Sequence, residues 1–361
     1  MVVPAAEPEL CLPAVDLSAP ESQIVREIHE QLTTIGFLHL KNIPSFPNPE
    51  HPEELLAFDD SELLMALQVF HASMTAADKR SVMWRNHNPE NTNIFRGLAP
   101  FVDDDESHKE LFDMGLPYRL VSEAERKVAP LQEETPFPRC PHDLAFVELR
   151  RYFEGQYQHR LLLGLKLVEY IALGLGLERD FFRSWFERDS LSTWRTIWTL
   201  PRARSTVRSA SLSAESLQLT TPAHSDSGFL TILSTLGFPG LQVLVHDGEG
   251  DQTSGSWRAL RPEKGQLVVN LGDMFERTTG GLLKATRHRV LDIGVERWSQ
   301  PFFLDPKYSQ RIPERVVGRG AGAAEGAGSE EEGELVFGDW LIGKMKSSYK
   351  EWANLEVPGK N

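Results

Sequence analysis

The sequence predicts a protein that is mainly β with flanking helices, an α+β chain of 361 residues. Three observations lead there. Short apolar runs separated by turn residues fill the second half of the chain. Longer stretches with apolar residues at helical spacing dominate the first half. The composition, 40% hydrophobic and 25% charged, is that of a soluble globular protein long enough for a sizeable core.

Taken in order, LPAVDL (12–17) is a short apolar run, and SAPESQ after it reads as a helix start. Ile24, Val25, Ile28 and Leu32 follow at helical spacing, and Gly36 ends that helix. GFLHLKNI (36–43) reads as a strand, and 44–60, rich in Pro, Asp and Glu, as a loop. A second helix is expected over 61–74, with Leu63, Leu64, Leu67 and Phe70 on one face. Residues 86–106 form a polar loop whose DDDE run is a solvated surface. Residues 142–175 carry Leu144, Val147, Leu161, Leu165, Val168 and Ile171 and read as one or two helices ending near Gly174 and Gly176.

The character then changes. TIWTL, FLTILSTL, LQVLV, WRAL, QLVVNL, RHRVLDI and QPFFLD are separated by turns such as GFPG, RPEKG and TTGG. Many short strands with turn signals predict an antiparallel barrel or sandwich. There is no internal repeat. Gly, Ala and Glu dominate residues 317–334, which have no apolar period, the composition of a mobile loop. LVFGDWLIGKMKSSYKEW closes the chain as an aromatic-anchored helical segment.

The formal charge of −14 argues against general binding to nucleic acid or to anionic membranes. Two cysteines, Cys11 and Cys140, make neither a disulfide framework nor a cysteine-built zinc site, and they fit a reducing compartment. The first residues lack the pattern of a secretory signal, and no apolar run is long enough to span a bilayer. The expectation is a cytoplasmic protein without an obligate protein partner.

The chemistry starts at TPAHSDSG (221–228). On an extended strand residues i and i+2 share a face, so His224 and Asp226 can reach one point. Two imidazoles and one carboxylate with open positions suit non-haem Fe(II) and O₂ chemistry, although zinc accepts the same ligands. Downstream candidates for the third ligand are His246, in the glycine-rich VHDGEGD, and His288, in the strand-like ATRHRVL. His288 is favoured, with Arg287 and Arg289 facing the other way. Arg297 and Ser299 in ERWSQPFF alternate onto one face, and a guanidinium fork beside a hydroxyl suits a carboxylate. Such a pair could hold the far end of a dicarboxylic acid whose near end chelates the metal. The alternatives are a surface ion pair of Arg297 with Glu296 and a space-filling Ser299.

TPAHSDSGFLTIL, GLQVL, WRAL, GQLVVNLGDMFERTTGGLLKATRHRV and ERWSQPFF together resemble the isopenicillin N synthase-like family of iron(II)/2-oxoglutarate-dependent dioxygenases. LPAVDLS, GFLHLKNI and HKELFDMG (108–115) resemble that family's N-terminal region and the segment preceding its core. The resemblance implies a double-stranded β-helix (jelly roll) with a helical N-terminal region. It implies Fe(II) on His224, Asp226 and His288, and 2-oxoglutarate on Arg297 and Ser299. Asn270 and Asp273 match a family segment of structural character.

One departure is evident. Many members carry an Asn-Tyr-Tyr-Pro-like segment whose tyrosine helps hold the co-substrate. Here WRTIWTLPR (194–202) stands in that region, with Trp198 near the tyrosine's place and Arg195 or a water as substitutes.

The expected division is a dioxygenase-type region over 1–120, helical support over 121–190 and the jelly-roll core over 191–312. A low-complexity loop over 313–334 and a helical segment over 335–361 follow. The implied activity is oxidation of a small organic molecule with O₂, by hydroxylation, desaturation, ring formation or dealkylation, releasing succinate and CO₂. Secondary metabolism is the family-based expectation. Phe95, Arg96, Phe101 and Phe229 are candidate substrate contacts, with ordinary packing as the alternative, and His87 and His108 are expected at the surface. Two other functions remain: an oxidase of the same family that needs no 2-oxoglutarate, and a non-catalytic jelly-roll binding protein.

Overall fold

The computed structural model describes residues 9–101, 108–138, 144–201, 219–246, 255–317, 334–348, 350–353 and 356–357. The DDDE run, Cys140 and almost all of the low-complexity stretch lie outside them.

Eight strands build the core, and they alternate between two sheets in a palindromic order. Thr193–Thr199, Leu230–Ser234, Leu267–Leu271 and Arg297–Leu304 belong to the large sheet. Leu219–His224, Leu241–His246, Gly255–Leu260 and His288–Leu291 belong to the small one. Along the chain the order is large, small, large, small, then small, large, small, large, which is a jelly roll. The sheets face each other across Phe37, Leu241, Val243, Leu260 and Val268, a buried cluster drawn from both.

Strand alternation explains why the large sheet's central strands read as continuous apolar runs. Leu267–Leu271 is buried at every position. Val268 joins the cluster between the sheets, whereas Leu267, Val269 and Leu271 join the larger core on the outer face. The helix Leu144–Gly174 packs on that outer face, setting Phe153 against Trp194 at 4.8 Å and Tyr157 against Phe302 at 5.3 Å between ring centres. It is one helix of 31 residues.

The N-terminal region is mixed in character where the sequence suggests mainly helix. Glu21–Thr34, Asp60–Ser73 and Ala76–Val82 are helical, the second capped by Asp59, whose carboxylate accepts from the backbone N–H groups of Ser61 and Glu62. Yet Ala14–Asp16, Phe37–Lys41, Gly97–Ala99 and Lys109–Met114 extend the large sheet to eight strands. The last two escape a sequence reading because GLA is short and KELFDM holds three charged residues. Its Glu110 and Asp113 are buried, each ion-paired, to Lys79 and Arg195. The loop expected over 44–60 holds the paired strands Phe46–Pro47 and Leu55–Leu56. Among the described residues no helix is long and apolar enough to cross a membrane.

Candidate metal centre

His224 and His288 stand directly opposite each other on antiparallel neighbours of the small sheet, with ring centres 4.3 Å apart. Asp226 reaches them from outside any strand. Leu219–His224 ends at the histidine, and Asp226 lies in the turn that follows, so strand alternation, the basis of the sequence expectation, does not place it. The turn is stitched to the helix Asp273–Thr278. The Asp273 N–H donates to the Asp226 carbonyl at 2.7 Å, and the Met274 N–H to the Gly228 carbonyl at 3.1 Å. Gly272 is needed for this closeness, since a Cβ there would sit 2.3 Å from the Gly228 carbonyl oxygen.

The donor atoms converge. Asp226 Oδ1 lies 3.6 Å from His224 Nε2 and 3.7 Å from His288 Nε2, each less than two metal–ligand bonds of about 2 Å. His224, Asp226 and His288 are the only such group of potential ligands among the described residues. Each imidazole is oriented by its own backbone. His224 Nδ1–H donates to the Pro222 carbonyl at 2.9 Å, and His288 Nδ1–H to the Thr286 carbonyl at 3.2 Å. Because a carbonyl can only accept, the proton sits on Nδ1 and Nε2 keeps its lone pair for a metal.

The carboxylate is held in the same manner. Asp226 Oδ2 accepts from Thr231 Oγ1 at 2.5 Å and from Asn270 Nδ2 at 2.8 Å, which turns Oδ1 to the imidazoles. Burial alone would raise the Asp226 carboxyl. The facing His288 and His224 and the bond from Thr231 outweigh burial and hold it well below the usual carboxylate range. Burial pushes His288 down, toward the neutral form that ligates.

Arg297 and Ser299 share the inner face of the large sheet, the side turned to the metal triad. Arg297 Nη1 donates to Ser299 Oγ at 3.1 Å, and Nε to the Pro239 carbonyl at 3.1 Å. The guanidinium is buried, and burial pushes it down to about 10. No carboxylate pairs with it among the described residues. Its sequence neighbour Glu296 instead accepts from Trp198 Nε1 at 2.7 Å. A buried cation without an acidic partner is a group whose charge a bound anion would balance. The donor set therefore fits both a divalent metal and a dicarboxylate beside it.

Trp198 is not brought to this pocket. Ladder partners share a face, and Trp198 pairs with Trp298, the residue between Arg297 and Ser299. It therefore projects from the outer face, stacked on Trp298 at 5.3 Å and in edge contact with His71. The residues across from the pair are Thr199, opposite Arg297, and Ile197, opposite Ser299. One step of register separates Trp198 from the residues that share the inner face with Arg297 and Ser299.

The four suggested substrate contacts are also packed elsewhere. Phe95 is buried under the Arg96 guanidinium and against Trp352. Arg96 is itself buried, donating to Thr193 Oγ1 and to the Leu191 carbonyl. Phe101 meets Trp198 on the outer face, and Phe229 sits in an aromatic core with Phe186, Phe275 and Phe337. His246 closes its strand at an exposed position, away from the triad. His108 donates to the Leu200 carbonyl, and His87 lies beside Trp84.

Residues 209–306 match the model of the 2OG-Fe(II) oxygenase superfamily. Over 357 residues the chain is 25% identical to isopenicillin N synthase of Streptomyces clavuligerus, covering 94% of this chain and 96% of that one. It is 28% identical over 212 residues to a 2-oxoglutarate-dependent dioxygenase of Didymella fabae, an alignment spanning 58% of each chain. Among solved structures, a full-length Neurospora crassa protein in complex with alpha-KG superposes with a TM-score of 0.70 at 22% identity, covering 96% of this chain and 98% of that one. The same Neurospora crassa protein has also been solved with alpha-KG and thymine together.

Proposed function

We propose that the chain is a member of the 2OG-Fe(II) oxygenase superfamily, with Fe(II) and 2-oxoglutarate as its cofactor and co-substrate, and that it hydroxylates, desaturates, cyclises or dealkylates a small organic molecule. Bound together, the iron and 2-oxoglutarate supply O₂-driven oxidation of an unactivated C–H bond, with succinate and CO₂ as co-products.

The chain's own part is binding and orientation. His224, Asp226 and His288 hold the metal through Nε2, Oδ1 and Nε2, and a three-ligand set leaves positions for co-substrate and O₂. Thr231 and Asn270 keep Asp226 from rotating. Arg297 and Ser299 receive the distal carboxylate of 2-oxoglutarate, and the low-dielectric surroundings strengthen that contact. The single observation that carries this reading is the buried Arg297 guanidinium, without an acidic partner among the described residues, on the wall facing a His-Asp-His cluster. The Neurospora crassa protein has been solved with a small molecule, thymine, together with alpha-KG, and the acidic charge of this chain is in keeping with a small-molecule substrate.

The test is an anaerobic titration with Fe(II) and then 2-oxoglutarate, watched for the weak visible charge-transfer band. A band that saturates at one equivalent is the expected result, and its absence rejects the reading. Succinate release on turnover then separates this enzyme from an oxidase that uses no 2-oxoglutarate.

A further inference from the structure

Directly behind Arg297 and Ser299, on the outer face of the large sheet, lies a buried group of charged and aromatic side chains that takes no part in the metal triad. Glu110, Trp198 and Trp298 form one row across three neighbouring strands. His71, from the helix Asp60–Ser73, is buried against that row. Burial holds its imidazole below the ordinary value, toward the neutral form. Nδ1–H then donates to Glu110 Oε1 at 2.7 Å, and Nε2 accepts from the Thr196 hydroxyl at 2.8 Å. Lys79, from the helix Ala76–Val82, donates to both Glu110 oxygens at 2.9 Å and sits 5.3 Å from the Trp198 ring centre. Trp298 is buried, and its Nε1 has no hydrogen-bond partner among the described residues. The indole is therefore held by its ring contacts, a parallel stack on Trp198 at 5.3 Å and an edge contact with His71 at 5.4 Å.

We propose that His71 is a positioning residue for the co-substrate anchor, and that it acts through Trp298 to hold Arg297 and Ser299 at the spacing that takes the distal carboxylate of 2-oxoglutarate. This rests on the reading of the site given above. Side chains alternate along a strand, so an indole fixed from outside fixes the backbone that turns Arg297 and Ser299 inward. The two inner groups stand 3.1 Å apart, from Nη1 to Oγ, and a paired grip on one carboxylate tolerates little misplacement. His71 suits the task because both ring nitrogens are tied, one to Thr196 and one to Glu110 on the strand beside it. Its edge cannot turn away from Trp298. An apolar side chain would fill the same space without loss of stability, since buried ionic groups seldom add to it. What the His71, Glu110 and Lys79 set adds is a fixed orientation.

The experiment uses the full chain loaded with Fe(II) in the absence of oxygen. 2-Oxoglutarate is compared with 2-oxobutyrate, a 2-oxo acid that lacks the distal carboxylate, each titrated through its charge-transfer band. Mn(II) affinity without either acid reads the metal triad alone. His71→Leu and Trp298→Phe are each expected to weaken 2-oxoglutarate about tenfold, with 2-oxobutyrate and Mn(II) within about twofold of the parent. A side chain that only supports the fold would weaken all three together, or lower the melting temperature and nothing else. Trp298→Phe breaks no printed hydrogen bond of the indole and carries the test alone if His71→Leu does not fold. The inference is overturned if 2-oxoglutarate binds the folded variants as tightly as the parent, or if 2-oxobutyrate weakens by the same factor. A parent that forms no band with 2-oxoglutarate rejects the reading of the site itself, and the inference falls with it.

Discussion

Asn270 and Arg297 show how differently two buried polar groups can serve one centre. Asn270 touches no metal in the arrangement described; it donates to the Asp226 oxygen that faces away from the imidazoles. Asn270→Ala should therefore lower metal affinity by roughly 10–100-fold, read by Mn(II) titration, while far-UV circular dichroism stays native. A loss of fold with unchanged affinity would contradict that role. Arg297 works against the fold. Burial pushes its guanidinium down to about 10, so keeping it charged costs ~3 kcal/mol of stability. That penalty is fully present below pH of about 10, where both folded and unfolded chains hold the proton. It is relieved only as the pH rises from there toward the unfolded value. Arg297→Met should hence melt at the same or a higher temperature than the parent, yet lose 2-oxoglutarate affinity by two orders of magnitude or more. A clear drop in melting temperature with co-substrate binding retained would show that the guanidinium is structural.

The turn carrying Asp226 is the element on which the centre depends, and a helix holds it. Asp273–Thr278 receives the turn's carbonyls at its first N–H groups, and Lys344, from the helix Phe337–Ser348, reaches Asp273 at 2.9 Å. The contact that limits this packing is backbone on backbone. Gly272 has an ordinary φ of −105°, so alanine there meets no dihedral penalty, only the Gly228 and Asp226 carbonyl oxygens at 2.3 and 2.9 Å. Gly272→Ala should push the Asp226 turn outward and weaken Fe(II) binding, measured by the titration above, more than it lowers the melting temperature. Unchanged metal binding would mean that the turn can shift without moving its carboxylate.

For the molecule as a whole, the strands of the second half and the His-Asp-His set are readable from the chain because apolar alternation and ligand chemistry are both local signals. The errors have physical causes. Trp198 reads as a pocket residue because one sequence cannot reveal which face of Thr193–Thr199 turns inward; only its ladder to Arg297–Leu304 decides that. Phe229 looks like a pocket residue because it follows the metal turn, but the chain has reversed by then and the ring enters the aromatic core. Thr231 is invisible inside FLTIL because its bond to Asp226 spans a loop. Among the described residues, Leu219–His224 is the outermost strand of the small sheet, joined to it only through His288–Leu291, with an irregular register at that seam. The two imidazoles face each other across the same seam, so an ion held by both acts as a rivet between neighbouring strands. Amide exchange over 219–224 should accordingly be fast without metal and slow once Zn(II) or Fe(II) is added, while the buried strand Leu267–Leu271 is protected in both states. Equal exchange over 219–224 with and without metal would show that the seam holds by its backbone alone. Where exchange slows with metal, taking up the ion would also fasten the rim strand of the jelly roll.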